Sequence, residues 1–191
     1  MGRWEPGARG RLAQAAMTLY AEQGFERTTA AQIAARAQLT ERTFFRHFAD
    51  KREVLFYGTE SARDLLTSAV TSAPAGTAPM DAVSAALEAL AAQFQENPER
   101  VRVRDAIVSA NAELRERELV KLAGLAAAMA DALRERGTPE PAASLAAETG
   151  IAVFKVAFAR WISDPDRPDL PEILRTWTDE LRGVLAQHPG A

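Results

Sequence analysis

Apolar residues recur every three to four positions along most of the chain, and no segment alternates as a half-buried strand does. The first such segment predicts a helix over 8–23, with Leu12, Ala16, Leu19 and Tyr20 on one face. Gly24 closes it, because glycine takes the left-handed cap conformation at little cost, and Phe25 folds back as a core plug. A short helix is predicted over 29–37, with Thr28 or Thr29 as N-cap, Gln32 near the capping-box position, and Ile33 and Ala37 facing inward. The turn Ala37-Gln38-Leu39-Thr40 has room only for a sharp reversal. Thr40 then caps a third helix through Glu41 to His47, with Phe44 and Phe48 on its buried side. Asp50 is expected to cap a long fourth helix, whose apolar side carries Val54, Leu55, Leu65, Leu66 and Ala69. Pro74, Gly76 and Pro79 mark a loop over 71–79. Further helices are predicted over 80–95, 99–110, 114–136, 142–163 and 171–187. The fold class is therefore all-α with about nine helices. A three-helix N-terminal domain with a helix-turn-helix (1–50) precedes a larger C-terminal helical bundle (51–191).

Composition narrows the chemistry. With 191 residues, 47% hydrophobic and 26% charged, the chain can bury a core and is too apolar for wholesale disorder. The absence of cysteine excludes disulfides, thiolate metal sites and cysteine nucleophiles. The two histidines, His47 and His188, lie far apart without ligand-like neighbours, so neither a metal nor another cofactor is expected. There is no Gly-rich phosphate loop, no G-x-S-x-G elbow and no histidine placed as base to a nucleophile, which argues against an enzyme. The most apolar stretch, 151–162, carries Lys155 and Arg160 and falls short of the ~20 residues that a spanning helix needs, so no membrane partner is expected. Residues 12–21, behind Arg3, Arg9 and Arg11, read as an amphipathic helix and not as a leader, which makes a cytoplasmic location the expectation.

The net charge of −3 hides an asymmetry. Residues 1–57 hold nine basic and six acidic side chains (+3), and residues 58–191 hold fourteen and twenty (−6). A basic head on an acidic body suits an electrostatic contact with phosphate. In a helix-turn-helix the second helix of the motif enters the DNA major groove. On that helix Arg42 can make a bidentate contact to guanine or grip a phosphate, Glu41 can accept from the cytosine amino group, and Thr43 offers a hydroxyl and a methyl. Arg46 extends the same face one turn on. Thr28, Thr29 and Thr40 stand at helix N-termini, where hydroxyls and free N–H groups favour anions. Lys51 sits where a cation gains nothing from a helix dipole, which suits a phosphate contact.

The run FERTTAAQIAARAQLTERTFFRHFADKREVL, Phe25 to Leu55, resembles the N-terminal domain of TetR-family transcriptional regulators. The likeness rests on Gly24-Phe25, Thr28-Thr29, Ile33-Ala34, Leu39-Thr40, Thr43-Phe44-Phe45, His47-Phe48 and Lys51, about a quarter of the chain once the preceding helix is included. The resemblance implies an all-α homodimer whose variable body holds a small-molecule effector. It implies double-stranded DNA as partner and a repressor that binds a palindromic operator as a dimer until the effector releases it. By the same resemblance Glu41, Arg42, Thr43 and Arg46 would face bases or nearby backbone, while Phe45, His47 and Lys51 would contact phosphates or sugars. The chain departs from the family pattern at Gln38 and Arg42, where Gly is frequent, and at Phe45, where Tyr is frequent. A positive φ at Gln38 would cost about 1–2 kcal/mol.

For the body, an effector pocket is expected among Phe94, Ile107, Asn111, Met129, Phe154 and Phe158. Lys155 would either meet an anionic group of the effector or snorkel and pair with an acid such as Glu148. The segment 142–163 is apolar on nearly every side, more than one core requires, and with 171–187 it forms the expected dimer interface. Its residues would be Phe154, Phe158, Trp161, Trp177, Leu181 and Val184. The alternative reading is a helical protein–protein adaptor without sequence-specific DNA binding.

Overall fold

The computed structural model describes residues 7–164, 166 and 168–186, with side chains to residue 184. Arg3, His188 and the predicted helix end at Gln187 lie outside the described residues. Nine α-helices and no strand occur among the described residues: α1 (Ala8–Gln23), α2 (Ala30–Arg36), α3 (Glu41–His47), α4 (Thr59–Thr71), α5 (Pro79–Gln95), α6 (Pro98–Ala110), α7 (Ala112–Glu135), α8 (Ala142–Ser163) and α9 (Leu170–Ala186). The chain packs as two compact units. The first takes residues up to Thr59 together with Glu99–Glu118, and the second takes Glu60–Pro98 and the chain from Leu119 onward. These units are drawn by packing, so they do not follow a single cut of the chain at residue 50.

In the first unit local sequence sets each boundary. Gly24 ends α1 at φ 86°, and its N–H bonds the Tyr20 carbonyl. Thr29 and Gln32 close a reciprocal capping box on α2. The Thr40 hydroxyl accepts from the Thr43 N–H to start α3. Leu12, Ala16, Leu19 and Tyr20 of α1 meet Ile33, Phe44, Phe48, Val54, Leu55 and Phe56 in one core, which Val108 of α6 and Leu114 of α7 complete. Thus most of α6 and the opening turns of α7 brace the helix-turn-helix from within the same unit.

The long fourth helix expected from Asp50 onward does not form. Asp50 does cap the chain, accepting from the N–H groups of Arg52 and Glu53. Beyond it the backbone makes a single 3-10 turn over Glu53–Phe56 and then breaks at Tyr57-Gly58 before α4. Val54, Leu55 and Phe56 are all buried. Three consecutive buried residues cover more than half the circumference of an α-helix, which a one-sided helix cannot offer to one core. Here the core closes on the segment from more than one side, with α1 residues, Val108 of α6 and Leu114 of α7 in the same cluster, and glycine at 58 is the cheapest place to break.

In the second unit α5, α8 and α9 pack pairwise. Ala82, Val83, Ala86, Leu87, Leu90 and Ala91 of α5 form its buried stripe. Ala143, Ala147, Gly150, Phe154, Ala157 and Trp161 of α8 form another. The two helices approach so closely that a Cβ added at Gly150 would lie 2.3 Å from Val83 Cγ1. Gln95 ties α5 to the start of α9, donating to Asp169 and accepting from the Leu170 N–H. At 22 residues and with a mean hydropathy of 1.4 in its most apolar window, α8 is long and apolar enough to cross a membrane by length and composition. The expectation that no segment reaches that length is corrected: alanines extend the apolar run back to Ala142. Here α8 packs its alanine face against α5 and α9.

Candidate nucleic-acid interface

The turn between α2 and α3 is a Schellman motif. The Leu39 N–H bonds the Ala34 carbonyl at 2.8 Å and the Gln38 N–H bonds that of Ala35 at 3.0 Å. Gln38 occupies the left-handed position at φ 57°, the only non-glycine residue with positive φ among those described. The sharp reversal expected there is therefore built with a residue that bears a Cβ. Leu39, just beyond it, packs on the core.

This turn holds α3 with Phe44 inward, fully buried, and Glu41, Arg42, Phe45 and Arg46 outward. Most cations of this unit are committed. Arg36 pairs with Glu22 at 2.9 Å, which holds its guanidinium pKa up; Arg52 pairs with Glu113 at 3.0 Å; Arg117 pairs with Glu53, and Arg104 with Glu118. Arg104 also donates to the Leu55 carbonyl and covers the Phe56 ring. Arg42 and Arg46 alone on α3 carry positive charge outward with no hydrogen bond or ion pair to any described residue. Leaving two guanidiniums exposed and unpaired four residues apart does nothing for the fold. It does supply donors in the fork geometry that base edges and phosphates accept.

Several of the expected contacts have other occupations. Thr28 is 1% exposed, and its hydroxyl donates to the Gly24 carbonyl while accepting from Gln23. It is a brace inside the unit and cannot touch a phosphate as placed. Lys51 is corrected in the same way. Its ammonium donates to the carbonyls of Phe25 (2.8 Å), Glu26 (3.2 Å) and Thr28 (3.1 Å), and it lies 4.4 Å from the centre of the Phe25 ring. An ammonium has three N–H groups, and all three are spent. The Tyr20 hydroxyl donates to the Lys51 carbonyl at 2.7 Å, and burial, reinforced by Asp50, holds that phenol protonated well above its ordinary range. His47 is half-buried, and its Nε2 is shut from solvent with no hydrogen-bond partner among the described residues, so that nitrogen does not face outward. Thr29 and Thr40 are exposed at their caps, while Thr43 is half-buried with its hydroxyl 2.9 Å from that of Thr40.

The residues expected to line one effector pocket do not come together. Ile107 and Asn111 belong to the first unit, on an open groove of about 490 Å³ with Gly24, Phe25 and Arg27. Phe94, Phe154 and Phe158 do meet, in the second unit, as a ring cluster with centroids 5.9–6.1 Å apart that continues to Trp161. Met129 is fully buried in that unit. A second open groove there, about 620 Å³, runs between α4 and α7 and has a mixed lining, with Arg63, Asp64, Asp131 and Glu135 beside Ala128 and Ala132. Lys155 is exposed and forms no ion pair with Glu148. Among the described residues no group of His, Asp and Glu could hold a metal ion.

The expected dimer residues are corrected in part. Phe154 and Trp161 are 6% and 1% exposed and belong to the monomer core, where the ring cluster consumes them. Phe158, Trp177 and Leu181 are half-buried, and Val184 is 62% exposed. The exposed apolar side chains of α8 are instead Leu145 and Val156. Their signal was in the sequence: they stand eleven residues apart, three helical turns, on the side opposite the alanine stripe.

A reversal this tight, with an outward helix bearing free arginines, defines a helix-turn-helix DNA-binding protein. Comparison with known proteins then gives the family. Residues 12–57 match the model described as bacterial regulatory proteins of the tetR family, and residues 77–186 match that of the MftR C-terminal domain. The chain belongs to the TetR family of transcriptional regulators. Among curated proteins it is similar to the HTH-type transcriptional regulator TcmR of Streptomyces glaucescens, 39% identical over 82 residues, which span 43% of this chain and 36% of TcmR. In fold it is similar to FadR of Thermus thermophilus, a TetR-family repressor solved with lauroyl-CoA (TM-score 0.60, 23% identity, 91% of this chain and 92% of that one). It is also similar to SmeT solved with triclosan (TM-score 0.69, 23% identity, 94% and 91%), the repressor of the Stenotrophomonas maltophilia multidrug efflux pump SmeDEF.

Proposed function

We propose that the protein is a ligand-responsive repressor that binds a palindromic operator as a homodimer in the cytoplasm and is released by a small-molecule effector. The observation that carries the reading is the pair Arg42 and Arg46, exposed on α3 and without a partner among the described residues. The head to residue 50 would read DNA, with Glu41, Thr43, Phe45, Thr29 and Thr40 around the two arginines, and the remainder would dimerise and hold the effector. Exposed Leu145, Val156 and Val184, with half-buried Phe158, Trp177 and Leu181, support pairing of α8 and α9 with their copies. Phe94, Phe154 and Phe158 support an apolar effector, which would have to part a closed ring cluster to enter. FadR, solved with lauroyl-CoA, and SmeT, solved with triclosan, are relatives in fold, and the acyl chain of the one ligand and the aryl rings of the other are apolar.

Release is then a population shift. Two reading helices must sit roughly 34–36 Å apart to enter successive major grooves. An effector that favours a different body arrangement by ~1–3 kcal/mol lowers DNA affinity about 5–150-fold. Gel shifts with genomic fragments test the reading. Specific binding should weaken in Arg42→Ala and in Arg46→Ala, with each variant still folded. Binding indifferent to both substitutions contradicts it and favours the adaptor. Light scattering on the eluting protein should give twice the chain mass at micromolar concentration, and a monomer there removes the dimer.

A further inference from the structure

One of the exposed side chains of α3 is not polar. Phe45 lies three residues after Arg42 and one before Arg46, and it is 54% exposed. Its ring stands edge-on to buried Phe44, with centroids 5.4 Å apart and planes at 88°, so its direction is set by the core. A phenyl ring has no donor for a phosphate oxygen. When this face closes on DNA the ring must be covered by something apolar. Duplex DNA offers two such surfaces, the carbon edge of the deoxyribose on the backbone and the 5-methyl group of thymine on the floor of the major groove. A ring at the flank of the helix would meet the sugar. Phe45 lies about 60° around the helix from Arg42, on the exposed arc between Arg42 and Glu41, the two residues expected to reach base edges.

Resting on the DNA-binding reading above, we infer that Phe45 is a specificity-determining residue that packs on a thymine methyl in each half-site. It thereby demands thymine at a position where the arginines supply no discrimination. This replaces the phosphate or sugar contact expected for that position. The contact is orientational as well as apolar: the edge-on lock to Phe44 fixes the ring before DNA arrives, so little side-chain freedom is lost on binding.

The test uses the operator obtained by selecting bound sequences from a random duplex pool with the full-length protein. Each thymine of that operator is replaced in turn by deoxyuridine, which removes one methyl group and leaves every hydrogen bond in place. Affinity is measured for the wild-type protein and for Phe45→Ala. The substituted residue is exposed, so the variant should keep its fold, which circular dichroism checks. One thymine per half-site should respond, its loss of methyl weakening wild-type binding about fourfold, the value of one buried methyl-sized group. Phe45→Ala should bind more weakly and be blind to deoxyuridine at that position. If every thymine methyl is dispensable, or if Phe45→Ala feels its removal as strongly as the wild type, the inference is overturned while DNA binding stands. If the pool yields no selected sequence, the DNA-binding reading itself fails and takes this inference with it.

Discussion

Replacing Lys51 by methionine separates a structural lysine from a phosphate-gripping one. The substitution keeps the length and apolar stem and removes the ammonium, leaving the carbonyls of Phe25, Glu26 and Thr28 without their shared donor. Hydrogen bonds to a charged group are worth ~1.5–3 kcal/mol each when buried, and a cation over a ring adds ~0.5–1 kcal/mol at an exposed site. Lys51 is half-exposed, and the freed carbonyls can recruit water, so the terms do not sum. A loss of about 2–3 kcal/mol is expected, which for a slope near 2–3 kcal/mol/M moves a urea midpoint by roughly 1 M. DNA binding gives the second readout. Each phosphate neutralised contributes about −0.9 to the slope of log K against log salt. The Lys51→Met slope should therefore match the wild type at a temperature where both are folded, whereas the loss of a phosphate-contacting cation would flatten it by about 0.9 per subunit. An unchanged urea midpoint with a slope reduced by about one per subunit would refute the reasoning and return Lys51 to the phosphate backbone.

The packing leads to three more expected outcomes. Gln38→Gly should stabilise the head by about 0.5–1 kcal/mol, the relief of left-handed strain less the added entropy of the unfolded chain, measured by urea denaturation. Gly150→Ala should destabilise by about 1–3 kcal/mol, because Val83 is β-branched and stiff and cannot swing clear of the new methyl, and thermal melting would reveal it. Asp105 has its pKa raised by burial and then by the negative charge of Glu118, against a smaller opposite effect of Arg104. The folded state thus binds that proton more tightly than the unfolded chain, and stability is lost as pH rises from the unfolded pKa through the folded one. Asp105→Asn should accordingly raise the melting temperature at pH 7, with the advantage shrinking as pH falls below the carboxylate range.

The local part of the structure was legible in the sequence. The bounds of α1, α3 and α8 coincide with the predicted 8–23, 41–47 and 142–163, since caps and periodicity are encoded within a turn or two of each end. The strained conformation of Gln38 was legible because the tight turn and the glycine frequent there in related proteins both point to it. Occupations fixed across distance were not legible. Lys51 spends its charge on carbonyls 23 to 26 residues earlier, and no local pattern separates that from a cation facing DNA. Thr28 is spent on partners only four and five residues away, but only the folded loop brings them together. The 3-10 turn after Asp50 hid inside an apolar spacing that also suits a helix. On α8 the sequence holds too many apolar residues for one face, yet does not say which face the monomer covers. The placement of most of α6 and the start of α7 with the helix-turn-helix depends on Val108 and Leu114 reaching a core formed some fifty residues earlier.

Selection of bound sequences from a random duplex pool puts the central claim, that α3 presents Arg42 and Arg46 to base edges, to its most direct test. A two-fold palindrome with half-site centres about 10–10.5 base pairs apart, or a multiple, is the predicted result. With Arg42→Ala the preference at one position per half-site should relax while the spacing stays. A pool that shows no enrichment, or an enriched site whose sequence is identical for the wild type, Arg42→Ala and Arg46→Ala, would contradict it.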